Sequence, residues 1–406
     1  MVSPMASPMV SPSEVSPRLD AAHDASHDAA HDAAPDVAVQ RFPPTLLEST
    51  PAERIAYFKA YTVAHPHLVE TDRHLASVLS EPAGAALVLV YGPTGVGKST
   101  LLSHTRRRLT EELLPTLVAD PGRLPVVAVE AIAPDARAFN WKDYYLRALV
   151  AIDEPLIAHK RAPSWRFGRE TAAPALRHAL EQSLAQRRPV AFLIDEAQHL
   201  AKAGSGRRLQ DQLDCLKSLA NVTGVVHVLF GTYDLLAFRN LSGQLGRRST
   251  EIHLPRYRRE READVIAFQR VLRTFQRHLP LLEEPDLLAE WEYCYERSIG
   301  CVGTLKDWLT RCLVAAIREG APTLTRAHLE AHAYAATQAL AMVTEASQGE
   351  AELDREEHGA RERLRGLLGE SASARTPRIG RKGPRSVGRR SPQRDPVGEQ
   401  ADATKT

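Results

Sequence analysis

Four short runs of unbroken apolar, largely β-branched residues punctuate the middle of the chain. They are Ala86-Leu87-Val88-Leu89-Val90-Tyr91, Pro125-Val126-Val127-Ala128-Val129, Pro189-Val190-Ala191-Phe192-Leu193-Ile194 and Val225-Val226-His227-Val228-Leu229-Phe230. Runs of this length with no polar alternation predict strands buried on both faces, as in a parallel sheet. Between them, residues 175–185 and 208–220 carry apolar residues at helical spacing. Strands alternating with helices imply an α/β fold with a mostly parallel sheet.

Upstream, residues 45–80 also show helical spacing, first through Ile55 to Tyr61 and then Leu75 to Leu79. A breaker, Glu81-Pro82-Ala83-Gly84, separates them from the first strand. From about residue 259 the period changes. Residues 260–278, 286–298, 304–318 and 325–341 all read as helices, with no strand between them, which predicts a small all-helical domain. Both ends are polar and low in complexity. The first 44 residues hold Ser-Pro steps and an Ala-His-Asp repeat. His23, His27 and His31 would share one face of a helix, but that composition reads as a solvated tail. Residues 371–394 carry eight Arg or Lys and no Asp or Glu. The predicted division is a low-complexity tail (1–44), N-terminal helices (45–80), an α/β domain (81–258), a small helical domain (259–345) and a charged, basic, disordered tail (346–406).

Composition narrows the class. An apolar fraction of 43% over 406 residues suffices for a substantial core, and the formal net charge of +2 gives no global field directed at nucleic acid. The four cysteines form no C-x-x-C pair, so a zinc site is not indicated, and reduced thiols in a cytosol fit best. No run approaches the roughly 20 apolar residues a membrane span needs, and Met1 to Pro17 lacks the layout of a signal peptide.

The chemistry begins after the first strand. Gly92-Pro93-Thr94-Gly95-Val96-Gly97-Lys98-Ser99, followed by Thr100, fits G-x-x-x-x-G-K-[ST] between a strand and a helix. In such a loop backbone N–H groups wrap a phosphate anion, and the helix N-terminus adds donors and dipole. Lys98 would reach the β- and γ-phosphates of ATP, and the Ser99 hydroxyl would ligate Mg²⁺. At the end of the third apolar run stand Asp195 and Glu196. Ligands bind outside the carboxyl ends of parallel strands, so Asp195 is the candidate for Mg²⁺ and Glu196 for the general base that polarises water. An acidic pair that activates water argues against a simple nucleotide kinase. Thr232, at the end of the fourth run, is a candidate partner for that water or the γ-phosphate, with a helix N-cap as its competing role. Arg247 and Arg248 are candidates for a positive charge supplied in trans to a neighbour's γ-phosphate, against the alternative of a solvated basic loop.

Gly92 to Thr100, Ile194-Asp195-Glu196-Ala197-Gln198-His199-Leu200, Phe230-Gly231-Thr232 and Arg247-Arg248 together resemble an AAA+ ATPase. The wording D-E-A-Q-H-L, with Tyr91 to Thr100, resembles more narrowly the TnsC/TniB transposition regulators, and Ile299 to Leu309 is similar to that family's lid motif. The likeness spans roughly residues 45–340. It implies head-to-tail homo-oligomers, rings or helical filaments, assembled with ATP on duplex DNA. They would link a target-site selector, a CRISPR-associated one included, to a transposase, with hydrolysis driving disassembly. One protomer would then supply Lys98, Ser99, Asp195 and Glu196, and its neighbour Arg247 or Arg248. At the lid's second sensor position, where many AAA+ proteins place arginine, Gly303-x-x-Lys306 offers a lysine, a point charge without the bidentate fork. Candidate DNA-facing groups are Arg106 to Arg108, Arg207-Arg208, Arg256 to Arg261, Phe139 to Lys142 and the basic tail. Alternatives are an Orc/Cdc6-like replication initiator or helicase loader, and a nucleotide-switched scaffold with little turnover.

Overall fold

The structure, a computed structural model, describes residues 41–134, 139–154, 172–202, 207–239 and 249–368. Five strands form one sheet: β1 (Leu87–Tyr91), β2 (Val126–Glu130), β3 (Ala191–Asp195), β4 (Val226–Gly231) and β5 (Ser249–His253). Their order is β2-β3-β4-β1-β5 and every pairing is parallel. The four apolar runs supply β1 to β4, and the fifth strand ends in the Ile252-His253 step. Burial follows position. Central β1 and β4 are buried at every residue, whereas edge strands β2 and β5 bury only alternate or single positions.

Around the sheet lie α1 (Pro51–Ala60), α2 (Pro66–Ser80), α3 (Lys98–Ala119), α4 (Trp141–Ala151), α5 (Ala173–Arg187), α6 (Gln198–Lys202), α7 (Arg207–Thr223) and α8 (Leu236–Arg239). Beyond β5 come α9 (Glu262–His278), α10 (Trp291–Ser298), α11 (Val302–Glu319), α12 (Arg326–His332) and α13 (Ala336–Leu367). Local sequence explains several ends. Thr50 and Glu53 form a reciprocal capping box at α1, with Pro51 at its first position. α11 stops at Gly320, which takes φ +68°.

The sheet core joins Val88, Val90, Leu193, Val228 and Phe230 to Leu75 and Leu79 of α2 and Leu101 and Leu109 of α3. A second core fills the helical region around Trp308, Phe268, Phe275 and Leu309. Phe58 of α1 is fully buried in that second core. The N-terminal helices therefore do not stand apart: α1 completes the lid and α2 backs the sheet.

Three boundaries differ from the sequence pattern. The helix expected over 286–298 begins at Trp291, because Asp286 Oδ1 accepts Ala289 N–H (3.1 Å) and Leu287 N–H donates to Gln276 Oε1 (2.9 Å), holding the approach in a turn. The helix expected over 325–341 is two. α12 ends where Ala333 turns extended, and Gln338 Oε1 accepts Ala335 N–H (3.2 Å) to start α13. The disordered tail expected from residue 346 does not begin there, since α13 runs on to Leu367 through a stretch rich in Ala, Glu, Leu and Arg, all strong helix formers. The chain divides into two compact units, one ending at Gly349 and one starting at Glu350. Among the described residues no helix is long and apolar enough to cross a membrane.

Candidate functional site

The strand order makes β1 the point where the topology reverses. β5 pairs on one side of it and β4 on the other, and β3 lies beyond β4. A crevice opens at the carboxyl ends of strands so arranged. Gly92 to Ser99 leaves β1 there, Asp195 ends β3, and Thr232 follows β4.

The loop is shaped by what its glycines lack. A Cβ on Gly92 would lie 2.2 Å from the Leu254 carbonyl oxygen. Gly95 takes φ +76°, and a Cβ there would lie 2.0 Å from Thr304 Oγ1. Gly97, at φ +115°, faces open space, so its requirement is conformational: it turns the chain into α3. Pro93 is buried and Thr94 exposed. Val96 is buried with Leu254, Ile299, Cys301, Ala339 and Ala346. Ser99 is exposed on the first turn of α3, and Thr100 is half-buried.

Lys98 Nζ donates to the carbonyls of Gly92 (2.9 Å) and Pro93 (2.8 Å). Burial lowers its pKa to about 8, opposed by Cys301, Glu196, Asp195 and Glu345. Two acidic groups from the end of β3 and one from α13 thus lie within electrostatic reach of the loop lysine.

At the end of β3 the backbone is strained. Glu196 takes φ +53°, a left-handed conformation unusual outside glycine. Asp195 Oδ1 accepts the Glu196 N–H at 2.9 Å, and Ala197 N–H donates to Phe230 O at 2.8 Å. Gln198 is buried. Its Nε2 donates to Glu196 Oε2, and its Oε1 accepts the Thr232 N–H at 3.2 Å. The Thr232 hydroxyl donates to Asp234 Oδ2 at 3.2 Å and makes no cap bond to the short helical turn it precedes. Tyr233, next along, meets His253 Nε2 through its hydroxyl at 2.9 Å.

The lid reaches the loop from the other side. Thr304 N–H donates to Gly95 O (3.0 Å), and a Cβ on Gly303 would lie 2.6 Å from that same oxygen. The first half of α13 also packs here. Ala339 and Ala346 contact the Val96 cluster with Met342 and Val343 alongside, and a Cβ on Gly349 would lie 2.2 Å from the Tyr233 ring.

Of the residues singled out from sequence, Gly92 to Thr100, Asp195, Glu196 and Thr232 come to one edge of the sheet. Lys306 does not join them: its ammonium donates to Lys59 O at 2.7 Å, at the end of α1. The lid meets the loop through Gly303 and Thr304 instead. Arg247 and Arg248 lie outside the described residues, as do residues 1–40 and 369–406 of the two predicted tails, whereas Phe42 is buried and its N–H donates to Arg277 O at 3.3 Å, so the solvated tail expected through residue 44 ends before it. Several basic clusters have acidic or backbone partners. Arg107 and Arg108 face Glu111 and Glu112 one turn along α3, Arg256 is buried and donates to Ile299 O, and Arg259 pairs with Glu292. Asn140 caps α4, and Phe139 and Trp141 pack edge-on against each other. Sequence reasoning passed over Gln198, Cys301 and the α13 stripe. The spacing Ala339, Met342, Ala346, Gly349 is the one signal of that stripe in the sequence.

Among the described residues no three His, Cys, Asp or Glu side chains cluster to hold a metal by themselves. Ser99 and Asp195, whose Oδ2 has no hydrogen-bond donor among the described residues, suit a cation that arrives already bound to phosphates.

The family model of the AAA domain matches residues 82–238. This stretch is a P-loop AAA domain. The match covers β1 to β4 with Gly92 to Thr100, Asp195, Glu196, Gln198 and Thr232, and it supports nucleotide binding and hydrolysis in general terms. No curated protein matches the chain. Solved structures similar to this chain include the Walker-type ATPase of Pyrococcus abyssi, at 18% identity and TM-score 0.41, over 71% of this chain and 75% of that one. The Aeropyrum pernix ORC2 protein, solved as ADPNP–ADP complexes, gives 18% and 0.47 over 70% and 71%. Drosophila ORC bound to DNA gives 13% and 0.42 over 75% and 70%.

Proposed function

We propose that the chain is an ATP-hydrolysing regulator that assembles on duplex DNA. The observation that carries the enzymatic part is the convergence of the Gly92–Ser99 loop, Asp195-Glu196 and Thr232 on one carboxyl edge of the sheet. In this reading the loop N–H groups and the α3 N-terminus bind the phosphates of ATP. Lys98 exchanges the carbonyls of Gly92 and Pro93 for phosphate oxygens. Ser99 and Asp195 hold the Mg²⁺, which offsets charge on the phosphates when bound. Glu196 accepts the proton of the attacking water, and Thr232 lies beside the same edge. Arg247 or Arg248 of a neighbouring copy supplies charge in trans. Lys306 joins the phosphates only if the lid rotates and its bond to Lys59 O breaks.

The finer assignment, a transposition regulator linking a target-site selector to a transposase, draws on the D-E-A-Q-H-L wording and the Ile299–Leu309 segment. Two experiments test the reading. Glu196→Gln should retain ATP binding and lose turnover by roughly 10²- to 10⁴-fold, the scale of a general base. Unchanged turnover would remove Glu196 as the base, whereas lost turnover with ATP-dependent release from DNA unchanged would favour a nucleotide-switched scaffold. Electron microscopy with duplex DNA should show rings or filaments with ATP and none without it, and an absence of any ATP-dependent assembly rules the regulator out.

A further inference from the structure

Gln198 is the first residue of α6, two positions after the candidate base. It is 5% exposed, and both ends of its amide are engaged in different directions. The NH₂ group donates to Glu196 Oε2, while the carbonyl accepts the backbone N–H of Thr232 at 3.2 Å, thirty-four residues away. Space around it is tight: a Cβ on Gly231 would lie 2.6 Å from Gln198 Oε1. The neighbouring Ala197 N–H also bonds to Phe230 O. The turn after β3 is therefore fastened to the end of β4 twice, once by backbone and once by this side chain.

We infer that Gln198 is a positioning residue that fixes the direction of the Glu196 carboxylate relative to the end of β4. The inference rests on the reading of Glu196 as the base. The terminal torsion of a glutamate is broad and roughly two-fold. A donor on Oε2 selects one orientation and leaves Oε1 to receive a proton from water. Because the same amide is anchored to Thr232 N–H, any shift of the β4 end is passed to the base through one rigid group. The base itself sits on a left-handed backbone, φ +53° at Glu196, so its main chain is as constrained as its carboxylate. A base aimed in advance spares the reaction that ordering cost, and misplacement by about 1 Å can lower a rate by roughly 10²-fold.

The test uses the full chain with ATP and Mg²⁺, with and without duplex DNA, reading single-turnover hydrolysis and nucleotide affinity separately. Gln198→Met keeps the volume and removes the amide; Gln198→Glu keeps an acceptor for Thr232 N–H but cannot serve Glu196 as the amide does. Both should slow hydrolysis by about 10²-fold while affinity stays within about threefold. In a Glu196→Gln background, Gln198→Met should cause no further loss, because the two act as a unit. Gly231→Ala, which presses on Oε1 without altering Gln198, should reproduce the slow phenotype and serves if Gln198→Met does not fold. Wild-type rates in these variants while Glu196→Gln is inactive overturn the inference and leave the base intact, as does an equal loss from Gln198→Met in both backgrounds. Full hydrolysis by Glu196→Gln overturns base and positioning residue together.

Discussion

The two sides of the candidate site are built from different materials. On the β1 side, the loop is made by backbone and by absent side chains: Gly92, Gly95 and Gly97 are each needed for space, conformation or both, and Lys98 is held by carbonyls of the loop itself. On the β3–β4 side, the arrangement is made by side chains meeting over long sequence distances, with Gln198 between Glu196 and Thr232. The supports differ as well. β1 is wholly Leu, Val and Tyr, whereas β4 buries an imidazole, His227, flat against Phe192. The difference teaches that, in the proposed roles, binding and turnover should fail separately, since the loop is fixed by local chain geometry and the Glu196 side by contacts across the sheet.

The sharpest way to break the loop side is Gly92→Ala. Its Cβ meets a backbone oxygen that cannot swing away, so we expect a loss of about 3 kcal/mol in stability together with nucleotide binding, read by thermal unfolding and by titration with a fluorescent nucleotide. The β4 side should show its weakness in acid. Burial lowers His227 to about 4, where an unfolded imidazole titrates near 6.5. Its folded pKa is depressed, so between those values the unfolded chain binds the extra proton and stability falls as pH drops. His227 should contribute on the order of 2–3 kcal/mol to that loss, and His65, lowered to about 4 chiefly by burial, acts with the same sign. Urea midpoints at successive pH values check this. A His227→Gln chain should show a shallower slope below pH 6.5, and an unchanged slope would show that the imidazole is not its source. The smallest effect belongs to Gly97→Ala. No atom lies within 4 Å of the added Cβ, so only backbone strain of about 1–2 kcal/mol is expected. If it costs as much as Gly92→Ala, conformation and not space governs the loop.

The same contrast explains what could be read from sequence. The loop is legible because its chemistry lies in consecutive residues flanked by a strand and a helix. The strands were legible because full burial removes polar alternation. Asp195 and Glu196 could be placed at a strand end by the apolar run before them. Gln198 was visible in the wording yet carried no role, because its second partner is Thr232 and spacing gives no hint of that contact. Lys306 was misdirected for the same reason: its acceptor, Lys59 O, belongs to a helix nearly 250 residues earlier that packs into the lid. The α13 stripe is made of alanine, methionine and glycine just ahead of a charged stretch, too weak a pattern to outweigh composition.

The resting place of Lys98 has a consequence for selectivity. A lysine held between two carbonyls of its own loop is already solvated by protein. A ligand must replace both acceptors to draw the ammonium away. A single small oxyanion offers its oxygens at one phosphorus or sulfur, whereas a polyphosphate can span the lysine and the backbone donors of the loop together. The lysine's contacts thus bias the site toward chains of phosphates over solitary ones, through the cost of leaving rather than the strength of attraction.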